Sequence, residues 1–151
     1  DKARAMFALL DQDKTRQDFI ASVAILQKLP QGNGKVGVVG FCYGGGMSNF
    51  LATELPDLAA AVPFYGRQAD LNKVVAIQAP LLIHYASDDE RVNAGAQAYD
   101  EALKAAGKNA QSYIYPDTQH GFHNDTTPRY AQAAAELAWS RTLEWFRRYL
   151  A

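Results

Sequence analysis

Residues 35–47 read Lys35-Val36-Gly37-Val38-Val39-Gly40-Phe41-Cys42-Tyr43-Gly44-Gly45-Gly46-Met47. The first seven are apolar and β-branched, which suits a buried parallel strand. Residues 42–46 are a tight glycine-rich turn, and residues 47–54 read as a helix. Strand, turn and helix in this order set Cys42 in the pattern Gly40-x-Cys42-x-Gly44, the form of a nucleophile elbow. The reason is steric. The nucleophile stands on a sharp, strained turn, so the positions two before and two after it must be small. Gly45 and Gly46 would then let the helix pack close to the sheet. The turn also sets the Tyr43 backbone N–H and a helix start beside the sulfur, and both favour an anion, thiolate or oxyanion. Two other readings use the same residues. A phosphate loop expects a lysine after G-x-x-x-x-G, and none follows here. A cysteine can also be a small buried residue and nothing more.

Working outward, the segment before residue 30 reads as helix, with Phe19, Ile20, Val23, Ile25, Leu26 and Leu29 near helical spacing. Gln31-Gly32-Asn33-Gly34 stops it. Residues 59–65 form a second apolar strand, with Pro63 awkward inside it. Residues 66–79 read as a loop with a helical turn, 80–86 as a third strand and 93–106 as a helix ended by Gly107. Residues 111–115 read as a fourth strand and 127–150 as a long amphipathic helix. Strands alternating with helices predict an α/β fold with a parallel sheet and helices on both faces, as one domain over residues 1–151. Four strands are few for this class, and the chain opens on Asp1 inside a helical pattern. Both lead us to expect that it is the C-terminal portion of a larger domain, lacking N-terminal strands.

Composition narrows the function. The chain has 151 residues, 48% hydrophobic and 21% charged, with net charge -1. That is too apolar for a disordered polymer. It lacks the Lys/Arg excess that nucleic-acid binding needs. No apolar run approaches the ~20 residues of a membrane-spanning helix. Neither nucleic acid nor membrane is therefore an expected partner. A single cysteine excludes an intramolecular disulfide and a four-cysteine zinc site. No basic segment followed by an apolar one is present, which favours a cytoplasmic location. Export stays open, because a targeting segment would lie upstream. An exposed sheet edge would promote association, so a homodimer is one expected arrangement.

A thiol nucleophile needs a base, and the base needs an orienting acid. Active sites of open α/β sheets form at the carboxyl ends of the strands. The third strand is followed by Ser87-Asp88-Asp89-Glu90-Arg91, and the fourth by Pro116-Asp117-Thr118-Gln119-His120-Gly121-Phe122-His123. The order nucleophile, acid, histidine is the α/β-hydrolase order. His120, before a glycine in a loop, is the better base, and His123 is the fallback. The pair with Asp125 lacks a third clear ligand, so no metal is expected. His84, flanked by apolar residues in mid-strand, reads as a hydrogen-bonded core histidine. Between the adjacent Asp88 and Asp89 the pattern alone does not choose.

With these residues in place, the chain resembles the dienelactone hydrolase (carboxymethylenebutenolidase) family of α/β-hydrolases. The matching stretches are KVGVVGFCYGGGMS, AAVPFYG, PLLIHYASDDERVNA and YPDTQHGFHND, with RTLEWF in the last helix. The resemblance implies a Cys42 nucleophile, an Asp89 acid and a His120 base. It implies attack on a small ester or lactone, an acyl-thioenzyme and no cofactor. The N–H of Tyr43 would be one oxyanion donor. Glutamine amidotransferases also place a cysteine in such an elbow, but the histidine segment here does not fit their pattern. Two departures concern substrate binding. Asn124 stands where the dienelactone-cleaving members carry an arginine, and Phe64, beside Tyr65, stands where they carry a tyrosine. They point to a carboxylic ester other than dienelactone itself. The other reading is a domain that keeps the fold and binds without turnover.

Overall fold

The computed structural model describes residues 2–151. The chain divides into two compact units, residues 1–34 and residues 35–151. The first holds α1 (Lys2–Phe7) and α2 (Gln12–Leu26). The helix expected across this stretch is thus interrupted, and Asp11 is the reason. Its carboxylate accepts the backbone N–H groups of Asp13 and Lys14, both at 3.0 Å, and so starts a new helix.

The second unit runs β1 (Gly37–Phe41), α3 (Tyr43–Glu54), β2 (Ala60–Phe64), a 3-10 helix (Leu71–Ala76), β3 (Leu81–Asp88), α4 (Glu90–Asn93), α5 (Ala96–Ala105), β4 (Ala110–Gln119) and α6 (Gln132–Leu150). The four strands pair in parallel in the order β1-β2-β3-β4. The expected parallel sheet with flanking helices is the one observed. Several boundaries differ, and β4 runs to Gln119, four residues past its expected end. Helix α3 starts at Tyr43, so the glycines lie inside its first turn rather than before it. The helix expected over 93–106 is α5, which starts at Ala96, and the short α4 precedes it. The last helix begins at Gln132, and residues 127–131 belong to the loop before it. Among the described residues, no helix is long and apolar enough to cross a membrane.

The core lies in β2 and β3. Ala60, Ala61, Val62, Phe64, Leu81, Leu82, Ile83, Tyr85 and Ala86 are all buried. Continuous burial, rather than alternation, marks strands covered on both faces. Pro63 has no N–H, and the rungs from β2 to β3 are made on either side of it. Ala61 N–H donates to Pro80 O at 2.9 Å and Tyr65 N–H to His84 O at 2.7 Å. Close approach of α3 to the strand ends sets the glycines. A Cβ on Gly40 would stand 2.0 Å from Gly44 O, and one on Gly66 would stand 2.2 Å from Gly45 C. A Cβ on Gly44 would meet nothing within 4 Å. The steric demand expected of Gly44 therefore falls on Gly40, Gly45 and Gly66.

His84 is the core histidine expected. It is fully buried. Its Nδ1 lies 2.9 Å from Tyr115 OH and its Nε2 3.2 Å from Thr142 Oγ1. Arg141 donates to Tyr115 OH at 3.1 Å, and Thr142 donates to Ala138 O at 2.8 Å. These bonds close into one consistent set when Tyr115 donates to Nδ1 and Nε2–H donates to Thr142, with the imidazole neutral. Burial, and then the Arg141 charge, hold the His84 pKa down at about 3.

The packing at Gly66 and at His84 has measurable consequences for stability. Gly66→Ala forces backbone apart and loses about 2–3 kcal/mol, whereas Gly44→Ala is neutral or gains up to about 1 kcal/mol of helix propensity. Urea unfolding of the two variants checks this. For His84, the unfolded chain takes up a proton below about pH 6.5, while the folded chain does so only near pH 3. Stability tied to this residue is complete above pH 6.5 and falls as the pH drops toward 3, by about 1.4 kcal/mol per pH unit. His84→Gln starts less stable, and its urea midpoint falls less steeply between pH 6 and 4 than that of the parent. Equal slopes would exclude a neutral buried His84.

Candidate active site

Cys42 caps α3 with φ 55 and ψ -113, a backbone conformation that costs a non-glycine residue roughly 1–3 kcal/mol. The turn is pinned on both sides. Cys42 N–H donates to Phe64 O at 3.1 Å, and Gly46 N–H donates to Cys42 O at 3.1 Å. Cys42 is exposed at the top of the sheet, as is the side chain of Tyr43. Tyr43 is the first residue of the helix, so its N–H lies at the positive end of the helix dipole.

Asp89 and His120, expected from the sequence as acid and base, lie at the ends of β3 and β4. Between Ala86–Tyr115 and Asp88–Gln119 the register shifts, so two steps along β3 match four along β4. Asp117 takes up the excess with φ 55. Such a bulge bends a strand and re-aims the residues beyond it. Ser87 and Thr118 stitch the two strands across it. Thr118 N–H donates to Ser87 Oγ at 3.2 Å, and Ser87 N–H donates to Thr118 Oγ1 at 3.3 Å. The result brings His120 beside Asp89. His120 Nδ1 is 2.5 Å from Asp89 Oδ2. Asp89 is buried and uses its other oxygen to accept Val92 N–H at 3.4 Å, at the start of α4. Asp88, its neighbour, is exposed, with its Oδ1 3.5 Å from Ser87 Oγ. The choice that the pattern left open is thus made by geometry: Asp89 is the carboxylate on the histidine.

An aromatic floor supports this pair. Tyr65 has φ 36, is buried, and sets its ring 5.1 Å from that of His120 and 5.4 Å from that of Phe122. Phe64 is fully covered, between Phe41 at 4.7 Å, His84 at 4.3 Å and His123 at 5.2 Å. His123 also faces Trp139 at 5.7 Å, and burial lowers its pKa. It belongs to a ring cluster and stands apart from the Asp89 pair. Asn124 is exposed, and its Oδ1 accepts Thr126 N–H at 3.0 Å and Thr126 Oγ1–H at 2.7 Å, which folds the loop.

The electrostatics of the thiol depart from the sequence expectation. The exposed helix start does not prevail: protein packed around the sulfur raises the Cys42 pKa. The Asp89 charge acts in the same direction. The Arg129 charge, and then that of Arg91, oppose it. The resting group is a thiol. Burial likewise raises the Tyr65 phenol, and a backbone hydrogen bond from His123 opposes it. Arg129 and Arg91 are the charged residues that sequence reading missed. Arg91 lies two residues past Asp89 and could have been inferred from α4. Arg129 is nine residues past His120, and only the folded loop returns it to the site.

The comparisons with known proteins agree with this architecture. The family model for the dienelactone hydrolase family matches residues 1–150. A protein of Saccharolobus solfataricus provisionally named a carboxymethylenebutenolidase is 36% identical over 150 residues, 97% of this chain and 58% of that one. Carboxymethylenebutenolidase 1 of Cupriavidus pinatubonensis is 30% identical over 145 residues, 95% of this chain and 62% of that one. A crystal structure from Klebsiella pneumoniae, provisionally named a dienelactone hydrolase, superposes with a TM-score of 0.77 at 29% identity, covering 88% of this chain and 59% of that one. The chain thus spans somewhat more than half the length of these relatives. On the strength of the family model and these identities, the chain belongs to the dienelactone hydrolase family.

Proposed function

We propose that this chain carries the acyl-transfer centre of a cysteine-dependent hydrolase of small esters or lactones. The observation that carries the reading is the 2.5 Å contact of His120 Nδ1 with Asp89, at the strand ends that also present Cys42. With Nδ1 held by the carboxylate, Nε2 is the nitrogen left to move a proton. The thiol is protonated at rest, so a base must take its proton as the sulfur attacks the carbonyl carbon. His120 is that base. Negative charge gathers on the carbonyl oxygen, and the Tyr43 N–H meets it as one oxyanion donor. Collapse expels the alkoxide, which takes the proton from His120. For a lactone the alkoxide stays tethered to the acyl group. Water, deprotonated by His120, then cleaves the acyl-thioenzyme and returns Cys42 as thiol. Asp89 fixes the ring orientation throughout. Phe64 and Tyr65 back the acyl site, and Asn124 stands on its rim. The departures at Phe64 and Asn124 favour an ester other than dienelactone.

The test uses an activated aryl acetate and a simple lactone. Cys42→Ala and His120→Asn each lower kcat/KM by about 10⁴-fold or more, the scale of loss on removing a triad member. Intact mass during turnover shows one acetyl group on the parent and none on Cys42→Ala. Unchanged hydrolysis by Cys42→Ala would sink the proposal and leave a binding domain of the same fold.

A further inference from the structure

We infer that Arg129 is a positioning residue for Cys42, the cation that holds the thiolate once the proton has left. The loop between β4 and α6 closes on itself. Asn124 N–H donates to Gly121 O at 2.9 Å, Tyr130 N–H to Thr127 O at 3.1 Å and Ala131 N–H to Phe122 O at 3.0 Å. That closure carries Arg129 back over Gly121, next in sequence to His120. A Cβ on Gly121 would stand 3.7 Å from the Arg129 Nη2. Gly121 has φ 86, which favours glycine, and the guanidinium lies at ordinary contact distance from where its Cβ would stand. Arg129 is exposed, and no acidic side chain lies within ion-pair distance of it among the described residues. Its charge acts on two site groups, the Cys42 thiol and the Tyr65 phenol. The groups around the sulfur are of both signs. Asp89 before α4 disfavours a thiolate, while Arg91 on α4 and Arg129 favour it. Tyr65 after β2 and the Asp89-bound His120 complete the set. Arg129 outweighs Arg91. A guanidinium stays charged across the whole range in which a thiol titrates, so this field is constant while His120 changes state.

The inference rests on the nucleophile proposed above, but its test reads the thiol directly. Rate constants for alkylation of Cys42 by iodoacetamide are measured from pH 6 to 10 for the parent, Arg129→Lys, Arg129→Gln and Arg147→Gln. Arg147 is an exposed arginine in the last turn of α6 and serves as the charge control. The expected result is a midpoint displaced upward in Arg129→Gln, with alkylation at pH 7 slower by about three-fold. The limiting rate above the midpoint stays that of the parent. Arg129→Lys recovers most of the loss, and Arg147→Gln matches the parent. In the parent, raising salt moves the midpoint in the same direction as Arg129→Gln, which needs no substitution. An unshifted profile in Arg129→Gln, or an equal shift in Arg147→Gln, overturns the inference. A shifted profile without any ester turnover would remove the hydrolase reading and leave Arg129 in its role. Turnover with an unshifted profile would do the reverse.

Discussion

Helix α3 begins so close to the ends of β1 and β2 that only a hydrogen fits on Gly40, Gly45 and Gly66. Much of the site depends on that approach. With no room to turn gradually, the chain leaves β1 through a single residue at φ 55, and that residue is Cys42. It leaves β2 in a similar way, through Tyr65 at φ 36, just before Gly66. Two neighbouring strands thus end on strained residues, and both side chains belong to the same cluster. Strain of this kind persists only where the surroundings over-determine it. Here the determinants are the Cys42 N–H bond to Phe64 O, the Tyr65 N–H bond to His84 O and the buried β2 between them.

The three histidines show how environment divides labour among identical side chains. His84 has both ring nitrogens bonded inside the core, so its neutral form is locked and unavailable for chemistry. His123 lies among Phe41, Phe64 and Trp139 and serves packing. His120 alone is half-buried with one nitrogen on a carboxylate and the other unclaimed by that bond. Only this last setting joins a fixed orientation to a second ring nitrogen that the carboxylate leaves open. The rings also link the settings, since Phe64 touches His84 and His123, and Tyr65 packs on Phe64 and His120.

Legibility in the sequence tracked the range of the interaction. The strand starts were readable to within two residues, because they rest on local apolar runs. The elbow was readable because its glycines and cysteine are contiguous. Asp89 and His120 were readable as candidates because strand ends are where such sites form, though separating Asp89 from Asp88 took the family resemblance at the sequence level. Other features rest on contacts between distant segments. Gly66 looked like an ordinary residue after a strand, yet its bare Cα touches Gly45, while Gly44, inside the motif, faces open space. The bulge at Asp117 left no mark in the residues themselves, and neither did the return of Arg129 over Gly121.

Geometry explains why the bulge falls where it does. A regular β4 would keep pace with β3, and successive side chains would alternate between the two faces of the sheet. The extra residues around Asp117 break that lockstep just where β3 turns into α4. Asp89 is held there by two demands at once, capping α4 through one oxygen and meeting His120 through the other. Asp89 is thereby fixed by secondary structure, and the loop bearing His120 is fitted to it. The same loop then closes through Ala131 and Phe122. One irregular segment therefore sets the histidine, buries Phe122 beneath it and leaves Arg129 above. Its freedom to do so comes from the place of β4 at the end of the strand order, with β3 as its neighbour among the described residues.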